Sequence, residues 1–96
     1  MHRKQALDVL IQLKPELVKR FGVTRLALFG STVRNEATED SDIDIVVAFD
    51  GPANSKRYFG VQFLLEDTLG QSVDLITEKA LRPELKPHIE REAINV

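Results

Sequence analysis

Two aspartates one residue apart, Asp42 and Asp44, open an apolar segment whose composition is typical of a β-strand. Since alternate residues of a strand face the same side, the two carboxylates project together, and the isoleucine between them projects to the opposite side. Neighbouring carboxylates repel each other, and a divalent cation relieves that repulsion. Oxygen ligands at this spacing favour Mg²⁺. The alternative interpretation is a solvated strand edge or a turn cap.

A Gly-Ser pair, Gly30 and Ser31, follows the apolar segment Thr24 to Phe29, and ten residues separate it from Asp42. Glycine lets a ligand or backbone approach closely, and the serine hydroxyl and the next backbone N–H groups are donors for an anion. Alone, such a pair is typical of a turn and a helix cap. Together with the aspartates it predicts half of a metal–phosphate site. Arg34, about one turn later, can reach the same phosphates or lie exposed on the surface.

A third carboxylate would complete a two-metal site, in which the cations lie about 3.5–4 Å apart. Asp74 lies between apolar residues of a predicted third strand, where an isolated buried carboxylate would be costly. It joins the aspartate pair if that strand lies beside the second. Asp50 shares strand parity with Asp44, but at about 3.3 Å per residue it lies roughly 20 Å away. We therefore select Asp74.

The elements that must position these residues follow from hydrophobic periodicity and from glycine and proline signals. Pro15 is expected to kink the first helix or to restart it, and Gly22 is expected to end it. We predict helices over residues 3–21, 57–69 and about 83–93, and strands over Thr24 to Phe29, Ile43 to Phe49 and Val73 to Ile76. This order predicts a single α/β or α+β domain over residues 1–96, with helices covering a small sheet.

Composition excludes several classes of function. The chain has 96 residues, no cysteine and a net charge of −2, which weighs against a protein that grips the nucleic-acid backbone. Absence of cysteine excludes thiolate catalysis, and the only histidines, His2 and His88, lie near no plausible nucleophile. No apolar run reaches the roughly 18–20 residues of a membrane span, and a signal-peptide block is lacking. We expect a cytoplasmic protein with a small substrate or a protein partner.

Together these residues resemble the minimal nucleotidyltransferase domain family of the DNA polymerase β-like superfamily, whose signature is Gly-Ser, ten residues, then Asp-x-Asp. The resemblance covers nearly the whole chain. Its pieces are a leading helix, Leu-Phe-Gly-Ser, Ser-Asp-Ile-Asp-Ile, Leu-Gly before Val-Asp-Leu-Ile, and a tail of Arg-Pro-Glu-Leu-Lys-Pro-His-Ile-Glu-Arg-Glu-Ala. One departure is Asn35, where members usually have glycine. Asparagine tolerates a left-handed backbone, so we expect the turn to be kept.

The resemblance implies the nucleotidyltransferase fold, with a small mixed three-stranded core sheet of order 1-2-3. That order places Asp74 beside Asp42 and Asp44. The three aspartates are then the catalytic residues and the ligands of two Mg²⁺ ions, for which Mn²⁺ can substitute. Larger relatives append a helical domain that holds the acceptor, and we expect no such domain within these 96 residues.

The resemblance also implies a nucleotide and a partner. Gly30, Ser31 and Arg34 are the expected nucleotide-binding residues, with ATP as the substrate. Free-standing members of this size resemble antitoxins encoded beside HEPN-domain ribonuclease toxins, in which AMP is transferred from ATP to a toxin tyrosine. Two alternatives stay open: a non-catalytic antitoxin that acts by occlusion, and nucleotidyl transfer to a small molecule with a helical partner subunit.

Overall fold

A computed structural model describes residues 1–96 and divides them among three helices and four strands. The helices are α1 (Arg3–Phe21), α2 (Ser55–Leu69) and α3 (Lys86–Glu92). The strands are β1 (Val23–Phe29), β2 (Ile43–Phe49), β3 (Val73–Thr77) and β4 (Ile94–Asn95), and short 3-10 turns cover Gly30–Thr32 and Glu78–Ala80. No helix combines the length and the apolar character that crossing a membrane requires.

The sheet has four strands in the order β3-β2-β1-β4, so the predicted order 1-2-3 is confirmed and the predicted count of three is wrong. β1 runs antiparallel to β2 and to β4, whereas β2 and β3 are parallel, which confirms a mixed sheet. The additional strand, β4, pairs its two residues with Ala27 and Leu28 of β1. A two-residue strand is too short to show an alternating pattern, so only its long-range pairing reveals it.

Helix α1 has the predicted bounds, and of the two outcomes expected at Pro15 the restart as a second helix is wrong, because one helix runs through that proline. Pro15 removes the hydrogen bond to the carbonyl of Ile11, and both residues lie on the exposed side of the helix. Water can satisfy a carbonyl there, while Leu10 and Leu17 are fully buried on the opposite side. Packing of the helical turns on either side of Pro15 therefore keeps the helix continuous, although proline locally disfavours it. Gly22 ends the helix in the left-handed conformation, as predicted (φ 71°).

The tail forms a shorter helix than predicted, since α3 begins only at Lys86. Pro87 lies in the first turn of α3, where backbone N–H groups have no acceptor within the helix, so the missing N–H of proline removes no helical hydrogen bond. At the other end Ala93 is already extended, with φ −63° and ψ 135°, and leads directly into β4. Proline thus sets the start of α3, and pairing with β1 sets its end.

The two faces of the sheet are covered unequally. Helices α1 and α2 pack on one face over the main core, to which β2 contributes Ile43, Ile45 and Val47. On the other face a small cluster of Ala27, Phe29 and Val46 lies under Ile89 and Ala93. Since strand residues alternate between faces, the even-numbered residues at the start of β2 lie on this second, less covered face. The predicted site therefore has an open approach.

Candidate active site

Strand register brings two of the three predicted aspartates directly together. Asp44 and Asp74 are paired positions of the parallel strands β2 and β3. On its other side Asp44 is paired with Phe29, the residue that precedes the Gly-Ser turn. Asp42 lies just before β2 and acts on Asp44 through its charge. The structure thus places all three aspartates at one end of the sheet, beside the turn.

Electrostatics single out Asp44 among the three carboxylates. Burial, the charge of Asp74, a hydrogen bond to Asp74 and the charge of Asp42 raise the pKa of Asp44 from 3.8 to about 6, and the positive charge of Arg34 acts in the opposite direction. Each of the raising effects disfavours the ionised carboxylate. Without a cation, the site therefore holds more negative charge than its surroundings readily tolerate.

Asp74 itself is exposed, so the expectation of a buried carboxylate at this position is wrong. β3 is an edge strand, and its second face is left uncovered next to Asp74. Its rival Asp50 lies beyond the far end of β2, where its carboxylate accepts a hydrogen bond of 2.7 Å from Arg57. The structure therefore separates Asp50 from the other carboxylates and leaves Asp74 open to an incoming group.

Gly30 is needed at its position for two reasons. Its backbone is left-handed, with φ 77°, and a Cβ there would lie 2.1 Å from the Oδ2 atom of Asp44. The sequence predicted a close approach by a ligand or by backbone at this glycine. In the structure the approaching group is the Asp44 carboxylate, which sets the Gly-Ser turn directly against the aspartates.

Glu92 is a site residue that the sequence did not indicate. Its Oε1 accepts a hydrogen bond of 2.8 Å from the Gly30 N–H, and its Oε2 accepts one of 2.7 Å from Nη1 of Arg34. Burial raises the pKa of Glu92, but the hydrogen bonds from Arg34 and Gly30 outweigh that effect and lower it overall. Glu92 lies 58 residues after Arg34, so no local pattern connects the two.

Arg34 lies beside the turn and is held at two of its nitrogens. Besides the contact with Glu92, its Nε donates to Glu36 at 3.4 Å, and its side chain is 46% exposed. Asn35 is left-handed, with φ 56°, as predicted for this departure from glycine. The Asn35 Oδ1 also accepts a hydrogen bond of 3.1 Å from the N–H of Arg3, which ties the turn to the start of α1.

The donor set fits Mg²⁺ only if the substrate completes the coordination. No group of three or more histidine, aspartate or glutamate side chains is arranged so that it can hold a metal ion by itself. Mg²⁺ commonly takes one or two carboxylates and fills its remaining positions with waters and substrate phosphates. Asp44 and Asp74 provide two adjacent carboxylates. Burial and, after it, the charge of Asp74 raise the pKa of Asp44, and a cation would offset the second of these effects. These residues fit an ion shared with a triphosphate.

An open cavity of about 620 Å³ borders Asp42, and every charged residue that lines it is acidic. Such a surface repels phosphates.

Residues 10–96 match the family model described as nucleotidyltransferase domain. The protein adenylyltransferase MntA of Thermococcus cleftensis is 39% identical over 89 residues, which cover 93% of this chain and 90% of that protein. A solved structure described as a minimal nucleotidyltransferase superposes with a TM-score of 0.83 at 35% identity, and the match covers 100% of this chain and 97% of that one.

A further likeness concerns the fold alone, because sequence identity is only 18%. The MNT antitoxin chain solved in complex with the tri-AMPylated HEPN toxin of Shewanella oneidensis superposes with a TM-score of 0.68, over 97% of this chain and 70% of that one. The matched family model and the relative at 39% identity establish the family. This chain belongs to the nucleotidyltransferase domain family.

Proposed function

We propose that the chain is a single minimal domain that transfers AMP from ATP to a tyrosine hydroxyl of a HEPN-domain toxin, and so acts as an antitoxin. The observation that carries the proposal is the pairing of Asp44 with Asp74 on adjacent strands, directly beside the Gly-Ser turn. The relative named protein adenylyltransferase MntA supports the choice of AMP and of a protein acceptor.

The three aspartates hold the metal ions in this proposal, two Mg²⁺ ions or their Mn²⁺ equivalents. Ions held there would supply charge that neutralises the triphosphate and lowers the pKa of the attacking hydroxyl. Asp44 lies at the centre, because it contacts Asp74 on one side and the Gly30 backbone on the other. Asp74, the exposed member, is open to the acceptor and accepts the proton of its hydroxyl.

The phosphate end of ATP lies along the turn. The Gly30 N–H is already bonded to Glu92, so phosphate contacts fall to Ser31 and to the remaining N–H groups of Arg34. The tyrosine oxygen attacks the α-phosphorus, and the bond from that phosphorus to the bridging oxygen of pyrophosphate breaks. Pyrophosphate is the leaving group, and the positive charge of Arg34 beside the turn stabilises it as it departs.

The acceptor must supply its own docking surface, because helices α1 and α2 lie on the face opposite the aspartates. β3 is an edge strand and Asp74 is exposed on it, so a hydroxyl on a partner protein can reach the carboxylate. A helical HEPN-domain partner that packs against this edge would place its tyrosine in line with the α-phosphate. Precise placement of this kind accounts for a large part of phosphoryl-transfer catalysis.

Intact-mass spectrometry of the partner tests the proposal. The protein is mixed with its HEPN-domain partner, ATP and Mg²⁺, and we expect increments of one AMP on a partner tyrosine. Asp44→Asn should remove the increments, whereas Asp50→Asn, which alters the carboxylate paired with Arg57 outside the site, should keep them. If the partner mass never changes while wild type and Asp44→Asn suppress its toxicity equally, the protein acts by occlusion and the enzymatic proposal is wrong.

A further inference from the structure

Glu92 connects α3 to two groups of the Gly-Ser segment, the Gly30 backbone and the Arg34 side chain. One carboxylate oxygen accepts from the Gly30 N–H at 2.8 Å, and the other accepts from Nη1 of Arg34 at 2.7 Å. The Glu92 side chain is 29% exposed, and charge-assisted hydrogen bonds of this length are among the stronger polar contacts in proteins. A single carboxylate thus spans the turn and the arginine.

The backbone that carries Glu92 is fixed on both sides. Ile89 and Ala93, which flank Glu92 along the chain, pack on the cluster formed by Ala27, Phe29 and Val46. The next residue, Ile94, pairs with Leu28 of β1. Glu92 is therefore anchored in the same sheet that carries the aspartates, and its position relative to the turn is determined by the fold.

The environment of Arg34 explains why such an anchor is needed. Arg34 is close enough to Asp44 for its positive charge to act on that carboxyl group. A long, flexible guanidinium side chain beside several carboxylates would otherwise be drawn onto them and would compete with a cation. Contacts at Nε and Nη1 hold the guanidinium toward Glu36 and Glu92, and Nη2 is left for a phosphate.

We propose that Glu92 is a positioning residue, which holds the Arg34 side chain and, through the Gly30 N–H, the turn that carries Ser31 in the arrangement that binds the phosphates of the nucleotide. It touches neither the nucleotide nor the metal ions and acts only through these two groups. The inference rests on the proposed function, because it assumes that Arg34 contacts the triphosphate.

Calorimetric titration with ATP in Mg²⁺ tests the role and needs no acceptor. Glu92→Gln keeps an oxygen that can accept from Gly30 but loses the charge that holds Arg34. We expect ATP affinity to fall about tenfold, as for other contacts that orient a ligand-binding group. The matched control is Glu90→Gln, which removes a carboxylate of the same helix that pairs with Arg25, and it should bind ATP like wild type.

A double-mutant cycle separates positioning from a general structural role. If Glu92 acts through Arg34, adding Glu92→Gln to Arg34→Gln should weaken ATP binding no further, because the shared contact is already lost. Glu92→Asp keeps the charge but is one methylene shorter, so it should also weaken binding, by a smaller factor. Circular dichroism establishes that each variant is folded before its affinity is compared.

Tighter ATP binding by Glu92→Gln would contradict the positioning role. The Glu92 carboxylate could instead occupy the phosphate position and compete with ATP, and Glu92→Gln would then bind ATP more tightly. Tighter or unchanged binding in a folded Glu92 variant overturns the positioning role. If Arg34→Gln itself binds ATP like wild type, the nucleotide site of the proposed function is misplaced. If Arg34→Gln weakens binding and Glu92→Gln does not, only the role of Glu92 is wrong.

Discussion

The two faces of the sheet have different roles. The face covered by α1 and α2 stabilises the fold, and the other, less covered face (the open face) carries the candidate site. The face under α1 and α2 contains the main cluster of 15 buried hydrophobic residues, whereas the buried cluster on the other face has only three. Strand β2 contributes to both, since its odd-numbered residues enter the main core and Asp44 lies on the opposite face. The apolar face binds the sheet to the helices strongly enough for the other face to carry carboxylates that repel one another. Natural proteins commonly accept local destabilisation of this kind at functional sites.

The largest expected effect comes from removing a carboxylate on the open face. Asp42→Asn and Asp44→Asn should each lower the rate of AMP transfer at least about 100-fold, because each removes a proposed metal ligand. Each variant should stay folded and be as stable as wild type or slightly more so without metal, since carboxylate repulsion is relieved. Partner mass and thermal unfolding measure the two effects. A variant that unfolds would show that these carboxylates are structural.

On the helix-covered face the expected pattern is reversed. Leu65 of α2 is fully buried, so Leu65→Ala should lower the free energy of unfolding by about 2–5 kcal/mol. Transfer per folded molecule should be unchanged, because Leu65 lies in the main core with Ile45, on the face of the sheet opposite Asp44. The matched control, Phe63→Ala on the same helix, removes a side chain that is 61% exposed and should change stability by less than about 1 kcal/mol. A loss of transfer in folded Leu65→Ala would contradict the separation of roles between the two faces of the sheet.

The pH dependence of stability measures the effect of ionising Asp44 on the open face. The folded protein raises the pKa of Asp44 from 3.8 to about 6, so it favours the protonated carboxyl. The stabilisation is therefore complete below about pH 4 and is lost as the pH rises through about 6. In EDTA, wild type should lose thermal stability between these values relative to Asp44→Asn. Parallel curves for the two proteins would mean that Asp44 titrates normally.

The smallest change in the free energy of unfolding is expected in the turn that follows β1. Thr32, in the Gly-Ser turn, is 1% exposed, and its hydroxyl has no hydrogen-bond partner. Thr32→Val keeps the shape of the side chain and removes the unsatisfied group, so it should raise the free energy of unfolding by up to about 1 kcal/mol. Thr32→Ser keeps the hydroxyl and removes the methyl group, so it should be destabilising. Lower stability of Thr32→Val than of Thr32→Ser would show that the hydroxyl is satisfied in solution.

Local signals were sufficient for much of the fold. The bounds of α1 and β2 agree with their periodicity, and Gly22 ends α1, as predicted. The pairing of Asp44 with Asp74 was also accessible, but only through the strand order that the family resemblance implied. Periodicity alone leaves open which strands are neighbours, because pairing depends on contacts between distant residues.

The features that could not be predicted all depend on tertiary contacts. Continuity of α1 through Pro15 depends on packing of the flanking turns, and β4 exists only through its pairing with β1. Asp74 is exposed because β3 is an edge strand. The apolar residues on either side of Asp74 along the chain gave no indication of that position. Glu92 is recognisable as part of the site only when its contacts with Gly30 and Arg34 are visible.

We propose that the carboxylates of the open face bind a triphosphate through a divalent cation. Calorimetry of ATP binding to wild type, in Mg²⁺ and in EDTA, tests it most directly. We predict binding in Mg²⁺ and a loss of at least about 100-fold in affinity in EDTA, because adjacent carboxylates repel a triphosphate when no metal is present. In Asp44→Asn the difference between the two conditions should be much reduced. Equal affinities of wild type with and without Mg²⁺ would contradict the metal site and the mechanism built on it.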